Sequence, residues 1–306
     1  MLASLTTAIS GKDLGVTFVQ DVWENFISLN SIGDRTFDVL EPAAAHRATD
    51  THTDWRKEDL YLDLETALAR DLAPLPETKD REGYYGPHNF SYWASGLRDV
   101  SNLMRAAQRL GVEIRDFLDF GCSSGRVIRH LAFQHPEIRT YGCDINRAHV
   151  EWVQRYLPPE IMVFQNHSVP TLPLPDNSLD AVSAYSVFTH IEAFETSWLM
   201  ELRRILRPGG LAWVTIHSEK TWEEMTEDWP LFNALKNHPE FKKLDRTAPM
   251  PRDRMVFRWR NERSYSSNVF YSFDYIETYW SRYFDIVETH RRLPVFQDVL
   301  VLRKPL

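Results

Sequence analysis

Between Arg115 and His217 short apolar runs alternate with helical stretches. The runs Arg115–Phe120, Thr140–Asp144, Ile161–Gln165, Leu179–Tyr185 and Leu211–His217 have the length of strands. Helical spacing falls at Ser124–Gln134, about Arg147–Tyr156 and near Phe194–Leu206. A chain that alternates in this way buries both element types most simply as a parallel, doubly wound α/β sheet. Two further runs, Phe284–Thr289 and Gln297–Arg303, have only Arg291–Phe296 separating their cores. That gap is too short for a parallel crossover, so this pair is predicted to be antiparallel.

Upstream, Ser91–Leu110 reads as a helix with Gly111 in a good C-terminal position. It follows a loop marked by Pro74, Pro76, Gly83, Gly86 and Pro87, and Trp55–Arg70 has helical spacing at Leu60, Leu64, Ala67 and Leu68. The stretch Ser218–Tyr271 breaks the rhythm, with Trp222, Trp229 and Trp259 among many charges. It is expected to be an insertion after the fifth strand, a lid beside the sheet edge. The expected organisation is an N-terminal cap over 1–83 and a main domain over 84–306, with the insertion at about 218–271.

Composition narrows the function. The 306 residues are 43% hydrophobic and 25% charged, enough for a sizeable core and against disorder. No apolar run of about 18 residues occurs, so no membrane span is expected. The first residues lack the basic region of a signal peptide. A formal charge of −8 disfavours an electrostatic nucleic-acid binder. The two cysteines, Cys122 and Cys143, give no disulfide framework, and a reducing cytoplasm is the default. His52 and Asp54 have no further ligand nearby in sequence, so no metal site is predicted.

The chemistry is carried by Phe117-Leu-Asp-Phe-Gly-Cys-Ser-Ser-Gly125, between a predicted strand and helix. Gly121 and Gly125 permit a tight turn and close backbone approach to a ligand. Asp144 ends the next strand, 19 residues after Gly125, where a carboxylate can reach both hydroxyls of a ribose. A dinucleotide site would call for Gly-x-Gly-x-x-Gly, so that pyrophosphate rests on a helix N-terminus. Here Ser123 stands at the middle glycine and Arg126 at the third. Asp119, just before the turn, would repel a diphosphate and suit an ammonium. The pattern favours a nucleoside carrying an amino acid over NAD.

These residues resemble the class I S-adenosylmethionine-dependent methyltransferases. Asp119-Phe-Gly121-x-x-x-Gly125 is similar to their motif I, Asp-x-Gly-x-Gly-x-Gly, departing at Ser123. Asp144 matches the acidic residue that ends their second strand. Leu172–Asp180 resembles the segment entering strand 4, and Leu202–Leu211 the helix and turn entering strand 5. The resemblance spans roughly 84–306 and implies a Rossmann-like sheet of seven strands, the last antiparallel. More narrowly, Tyr185–Ile191 and Phe296–Lys304 look like bacterial methyltransferases encoded with glycan or secondary-metabolite genes.

The resemblance implies S-adenosylmethionine as cofactor. Gly121, Ser123 and Gly125 would lie under it, Asp119 near its methionine end and Asp144 at the ribose. Ile145 would pack on adenine and Asn166 contact the adenine edge, where an amide both donates and accepts, with His167 or Ser168 as alternatives. Tyr185 and Ser186 would sit at the carboxyl edge of the sheet, with Ser186 at the cofactor. Ser123 is expected to be a mild change, the neighbouring backbone bending to accommodate it.

The implied reaction is methyl transfer to an oxygen of a small molecule or glycan. A base that removes the hydroxyl proton would assist it, and His190 and His217 are the candidates, with a structural role the alternative for each. Tyr84, Tyr85 and His88 could close the pocket around the sulfonium, or pack against the following helix. In a strand, Arg252, Arg254, Arg258 and Arg260 share one face, and Arg254 and Arg258 are candidates to bind an anionic acceptor. The competing reading is a solvated face with local salt bridges. N-methylation, a non-catalytic cofactor-binding protein and, further off, an NAD-dependent oxidoreductase remain alternatives. The aromatic N-terminal segment could make a homodimer contact.

Overall fold

The computed structural model describes residues 36–41, 64–259, 267–294 and 296–306. The expected helical spacing from Trp55 to Leu60, the pair His52 and Asp54, and Arg260 lie outside them.

The predicted alternation is present. Its strands are β3 (Asp116–Phe120), β4 (Arg139–Asp144), β5 (Met162–Gln165), β6 (Leu179–Ala184) and β7 (Leu206–Ser218). They follow two short strands, β1 (Val39–Leu40) and β2 (Leu75–Pro76), which pair only with each other. The last strands are β10 (Asp285–His290) and β11 (Asp298–Arg303). The order across the sheet is β10-β11-β7-β6-β3-β4-β5. From β5 to β7 every pair is parallel, and β11 runs antiparallel to both β7 and β10.

Helices α1 (Leu64–Arg70), α2 (Asn89–Arg109), α3 (Ile128–Gln134), α4 (Arg147–Tyr156) and α5 (Glu195–Ile205) join these strands or precede them. α3 begins at Ile128 rather than Ser124, because the glycine turn occupies the intervening residues and Gly125 is left-handed at φ 84°. Both faces of the sheet are covered, so β3 is buried at every position. Leu118, Phe120, Val182, Val214 and Leu300 pack with Trp198 and Leu202 of α5 on one face; Phe117, Ala181 and Trp213 meet Val100 and Leu103 of α2 on the other.

The segment before α2 is tied to the sheet layer through a buried ion pair. Arg129 of α3 holds Asp71 through two hydrogen bonds of 2.7 and 2.8 Å, and both side chains are fully buried. Trp93 Nε1 donates to the same carboxylate at 2.7 Å. Burial alone would raise the Asp71 carboxyl, but Arg129 outweighs it and holds it down to about 2. Where α2 crosses α3, a Cβ on Gly96 would stand 1.9 Å from the Arg126 carbonyl oxygen, so only glycine fits.

The stretch expected to be an insertion folds as α6 (Glu219–Glu224), α7 (Pro230–Leu235), β8 (Arg254–Arg258), β9 (Ser267–Tyr271) and, just beyond, α8 (Phe273–Tyr279). Its tryptophan and phenylalanine side chains form a small core around Trp222, Phe241, Phe257 and Phe270. β9 pairs antiparallel with β8 and parallel with the end of β7 at His217 and Ser218. The insertion therefore extends the sheet at its carboxyl edge. Among the described residues no helix is long and apolar enough to cross a membrane.

Candidate functional site

Open parallel sheets bind ligands beyond the carboxyl ends of their strands, where the chain leaves in opposite directions from neighbouring strands. Here that point lies between β3 and β6, and a cavity of about 290 Å³ opens there.

One side of the cavity is made by the turns after β3, β4 and β5. Gly121 is left-handed at φ 78°, and a Cβ there would meet Val187 at 2.4 Å. Ser123 is itself left-handed at φ 49°. This corrects the expectation that neighbouring backbone would absorb the serine: the position needs the conformation that glycine adopts without strain. Its N–H donates to Asp144 Oδ2 at 2.8 Å, while Asp144 Oδ1 accepts from Asn146 N at 2.7 Å. The carboxylate is thus fixed at the end of β4 with an edge on the cavity. Ile145 lines the cavity beside it. Gly125 does not. It packs outward, where a Cβ would lie 2.4 Å from Leu157.

Asp119 is buried beneath the turn and accepts from Ser183 Oγ at 2.6 Å. Burial pushes its carboxyl up to about 6, against the opposing pull of Ser183 and Arg126. Asn166 follows β5, and its side-chain amide donates to the His167 carbonyl at 3.1 Å. Its Oδ1 and Ser168 Oγ are buried at the cavity with no hydrogen-bond partner among the described residues. An orphaned acceptor of this kind calls for a donor from a ligand. These groups fit a nucleoside with an amino-acid tail: a fixed carboxylate for ribose hydroxyls, an unmet acceptor for an exocyclic amine, and a buried carboxyl for an ammonium.

The other side of the cavity is the loop from Tyr185 to Phe194, between β6 and α5. Ser186 and Phe194, near its two ends, are left-handed at φ 56° and 57°. Ser186 lines the cavity and exchanges hydrogen bonds with Gln297. His190 also lines it, and its Nδ1 lies 2.6 Å from the Ser267 carbonyl oxygen. A carbonyl can only accept, so Nδ1 carries the proton and the neutral ring keeps its lone pair on Nε2. Burial lowers the pKa of His190 below the usual histidine range, partly offset by the Ser267 carbonyl and the charge of Glu82. It is therefore neutral near pH 7.

His217 stands apart from this arrangement. It is buried against Phe270 and Phe296, with ring centroids at 5.1 and 6.1 Å, and does not line the cavity. Burial, with His190 nearby, takes its pKa down to about 3. Of the aromatic trio before α2, Tyr84 lines the cavity, but Tyr85 and His88 do not. The Arg126 guanidinium lies 5.7 Å from the Tyr84 ring and 5.4 Å from that of Tyr185.

Arg254 and Arg258 are also absent from the cavity lining. β8 turns them against the 191–195 segment instead. Arg254 pairs with Glu195 at 2.7 Å and Arg258 with Glu192 at 3.2 Å. The strand alternation is as expected, but the anion site is replaced by salt bridges inside the chain.

Several lining residues were not expected. Arg126 is buried and held by Asp99 at 2.6 Å, and Arg81 and Glu82 cover the cavity from the segment before α2. Arg126 follows the glycine turn directly, but its partner Asp99 sits on α2, and only the packing of α2 on α3 joins them. His149 lies 3.4 Å from Asp144 Oδ1; it falls five residues after it, one turn into α4, a spacing the sequence does contain.

The family model for the methyltransferase domain matches residues 118–214, which contain the turn, Asp144, Asn166 and His190. The stretch that carries most of this site is thus similar to a methyltransferase domain. An uncharacterised 37.1 kDa protein from a transposon of Streptomyces fradiae is 34% identical over 116 residues, which is 37% of this chain and 32% of that protein. The match thus spans about a third of that relative's length. Solved structures similar to this chain include an S-adenosylmethionine-dependent methyltransferase from Methanosarcina mazei, at 15% identity over 62% of this chain and 92% of the other, with a TM-score of 0.45. A 1,6-didemethyltoxoflavin-N1-methyltransferase from Burkholderia thailandensis is similar at 13% identity over 73% and 84% of the two chains, with a TM-score of 0.47.

Proposed function

We propose that this chain transfers a methyl group from S-adenosylmethionine to a hydroxyl oxygen of a neutral small molecule or glycan, with His190 taking the hydroxyl proton. The cofactor supplies an electrophilic methyl on a sulfonium. The observation that carries the reading is the meeting, at one sheet edge, of Asp119, Asp144 and the orphaned Asn166 Oδ1 with a neutral histidine across the same cavity.

In this reading Asp144 holds the ribose and Ile145 one face of the adenine. Asn166 Oδ1 accepts from the adenine amine. Asp119, with its pKa of about 6, faces the cofactor's ammonium as a carboxylate at pH 7. The acceptor lies against the 186–194 loop, and most of the rate comes from holding its oxygen in line with the methyl group. His190 Nε2 receives the proton as the oxygen attacks. Tyr84 and Phe194, 42% and 40% exposed at the cavity, offer apolar faces to the acceptor. Glu192 and Glu195 are neutralised by Arg258 and Arg254, which favours an uncharged acceptor over an anionic one.

Calorimetric titration with S-adenosylmethionine and S-adenosylhomocysteine tests the cofactor, with NAD as control. Micromolar binding of the first two, lost in Asp144→Ala, is expected. Binding of neither sinks the reading. Transfer of an isotopically labelled methyl group to a panel of hydroxyl and amine compounds then tests the acceptor atom, and transfer to amines alone would replace O-methylation by N-methylation.

A further inference from the structure

We propose that the insertion after β7 is a clamp that builds the acceptor wall, and that Arg254 is the residue that positions His190 through it. The role given to His190 rests on the function proposed above; the clamp itself does not.

The 185–194 loop has little local reason to hold its shape. One turn of internal bonds joins Val187 to His190 and Ile191. Near its ends, Ser186 and Phe194 sit in left-handed backbone without being glycine, which persists only where the surroundings over-determine it. Ser186 is held by Thr215 Oγ1 of β7 and by Gln297, and the middle of the loop is held by the insertion. Tyr271 Oη donates to the Phe188 carbonyl at 3.0 Å. Val269 N donates to the Thr189 carbonyl at 2.8 Å. The Ser267 carbonyl accepts from His190 Nδ1 at 2.6 Å. Arg254 Nη2 then donates to the Ile191 and Glu192 carbonyls at 3.1 and 2.8 Å. Residues 188 to 192 are thus held one after another by β8 and β9.

The side chains repeat the pattern. Glu192 receives the Ser267 hydroxyl and pairs with Arg258. Glu195, buried at the start of α5, pairs with Arg254 and accepts from Trp280 Nε1 at 2.6 Å. A single guanidinium therefore joins two loop carbonyls to the first residue of α5. Its planar, forked donors suit that task, and an ammonium on a flexible stem does not. The arginine stripe that resembled an anion site is the inner face of the clamp.

One consequence concerns the base. The Ser267 carbonyl fixes which ring nitrogen of His190 carries the proton. If β8 and β9 release the loop, water reaches the ring and the tautomer is no longer imposed. The titratable groups that act on His190 are Glu82 from the segment before α2 and His217 from β7, while Glu192 of its own loop and Arg254 and Arg258 of the packed strand β8 are tied up in ion pairs.

The test is a nitrogen-detected NMR titration of the histidine rings in the full chain without ligand, with His190 assigned from His190→Gln. In the wild type a single Nδ1–H tautomer is expected, titrating below the usual histidine range. In Arg254→Met the midpoint should move up by half a pH unit or more and the tautomer should become mixed. Affinity for S-adenosylhomocysteine should stay within twofold. Arg254→Lys, which keeps the charge but not the fork, should restore at most part of the signal.

An unchanged His190 signal in folded Arg254→Met overturns the clamp. Full restoration by lysine overturns the positioning role in favour of charge alone. Loss of cofactor affinity in step with the signal also overturns it, because the effect would then be general. Should Arg254→Met not fold, Glu192→Gln removes the second ion pair at constant shape and must shift the same signal. A wild type that binds no S-adenosylhomocysteine defeats the proposed function, while the ligand-free titration still decides the clamp.

Discussion

On one side of the cavity the turns after β3, β4 and β5 contribute mostly backbone and short side chains, close together in sequence. The bond from Ser123 N to Asp144 spans 21 residues. On the other side, the bonds that fix the 188–192 loop reach 62 to 83 residues along the chain to β8 and β9. The first side is a set of turns whose shape glycine and strand ends dictate. The second is a loop with strained ends, held by an inserted element. A cofactor common to a family can be met by the first kind of construction. An acceptor particular to one chain is met by the second, because the inserted element can change without disturbing the turns.

The comparison breaks most sharply at His190. His190→Ala should lower the rate of methyl transfer about a thousandfold, within the range general-base removal produces. The affinity for S-adenosylhomocysteine should stay within twofold, read by calorimetry on the same preparation. A parallel loss of affinity would mean that the two sides of the cavity are not separable.

Asp144→Ala should do the opposite. A carboxylate accepting two ribose hydroxyls contributes about 3 kcal/mol, or about a hundredfold in affinity. The variant should lose about that factor for both cofactor forms, and its thermal unfolding midpoint should fall as well, because Ser123 N and Asn146 N lose their acceptor. Unchanged affinity would remove Asp144 from the ribose.

How much of this was legible in the sequence follows from the same division. The strand and helix alternation and the residues Asp119, Gly121, Asp144, Ile145 and Asn166 could be read because they follow local patterns: strands alternate with helices, and these residues lie at strand ends. β8 could be read as an alternating strand, but not the direction its arginines face. Nothing near Arg254 in sequence says that Glu192 and Glu195 lie across from it. His217 ends a strand as His190 follows one, so the two looked equivalent. Pairing of β9 with the end of β7 buries the first, and that contact is not local either. Arg126 was missed as a lining residue because its partner Asp99 belongs to a different helix.

Asp119 gives a smaller effect, and one with a pH signature. Its folded pKa, about 6, lies above the usual value of 3.8. The native state therefore holds the proton more tightly than the unfolded chain between those values. The stability linked to this group is complete below about pH 4 and is lost as pH rises through about 6, on the order of 2–3 kcal/mol in all. Asp119→Asn should remove that slope and stabilise the ligand-free protein at pH 7, as measured by denaturant unfolding at several pH values. Cofactor affinity should move the other way, since an amide cannot ionise against an ammonium. A variant that is less stable than the wild type at pH 7 would mean that Asp119 is charged and well partnered before any ligand arrives.

The smallest expected effect belongs to Ser123. A non-glycine residue held at φ 49° costs about 1 kcal/mol, and glycine in exchange gains unfolded-state freedom that offsets part of it. Ser123→Gly should therefore stabilise the ligand-free chain by at most about 1 kcal/mol in denaturant unfolding. Its N–H still reaches Asp144, so the turn keeps its shape. The informative quantity is the cofactor affinity of the same variant. If the serine is only a tolerated strain, affinity should rise slightly or stay level. A severalfold loss would mean that the hydroxyl itself touches the cofactor, and that this side of the cavity relies on a side chain where backbone alone was expected to serve.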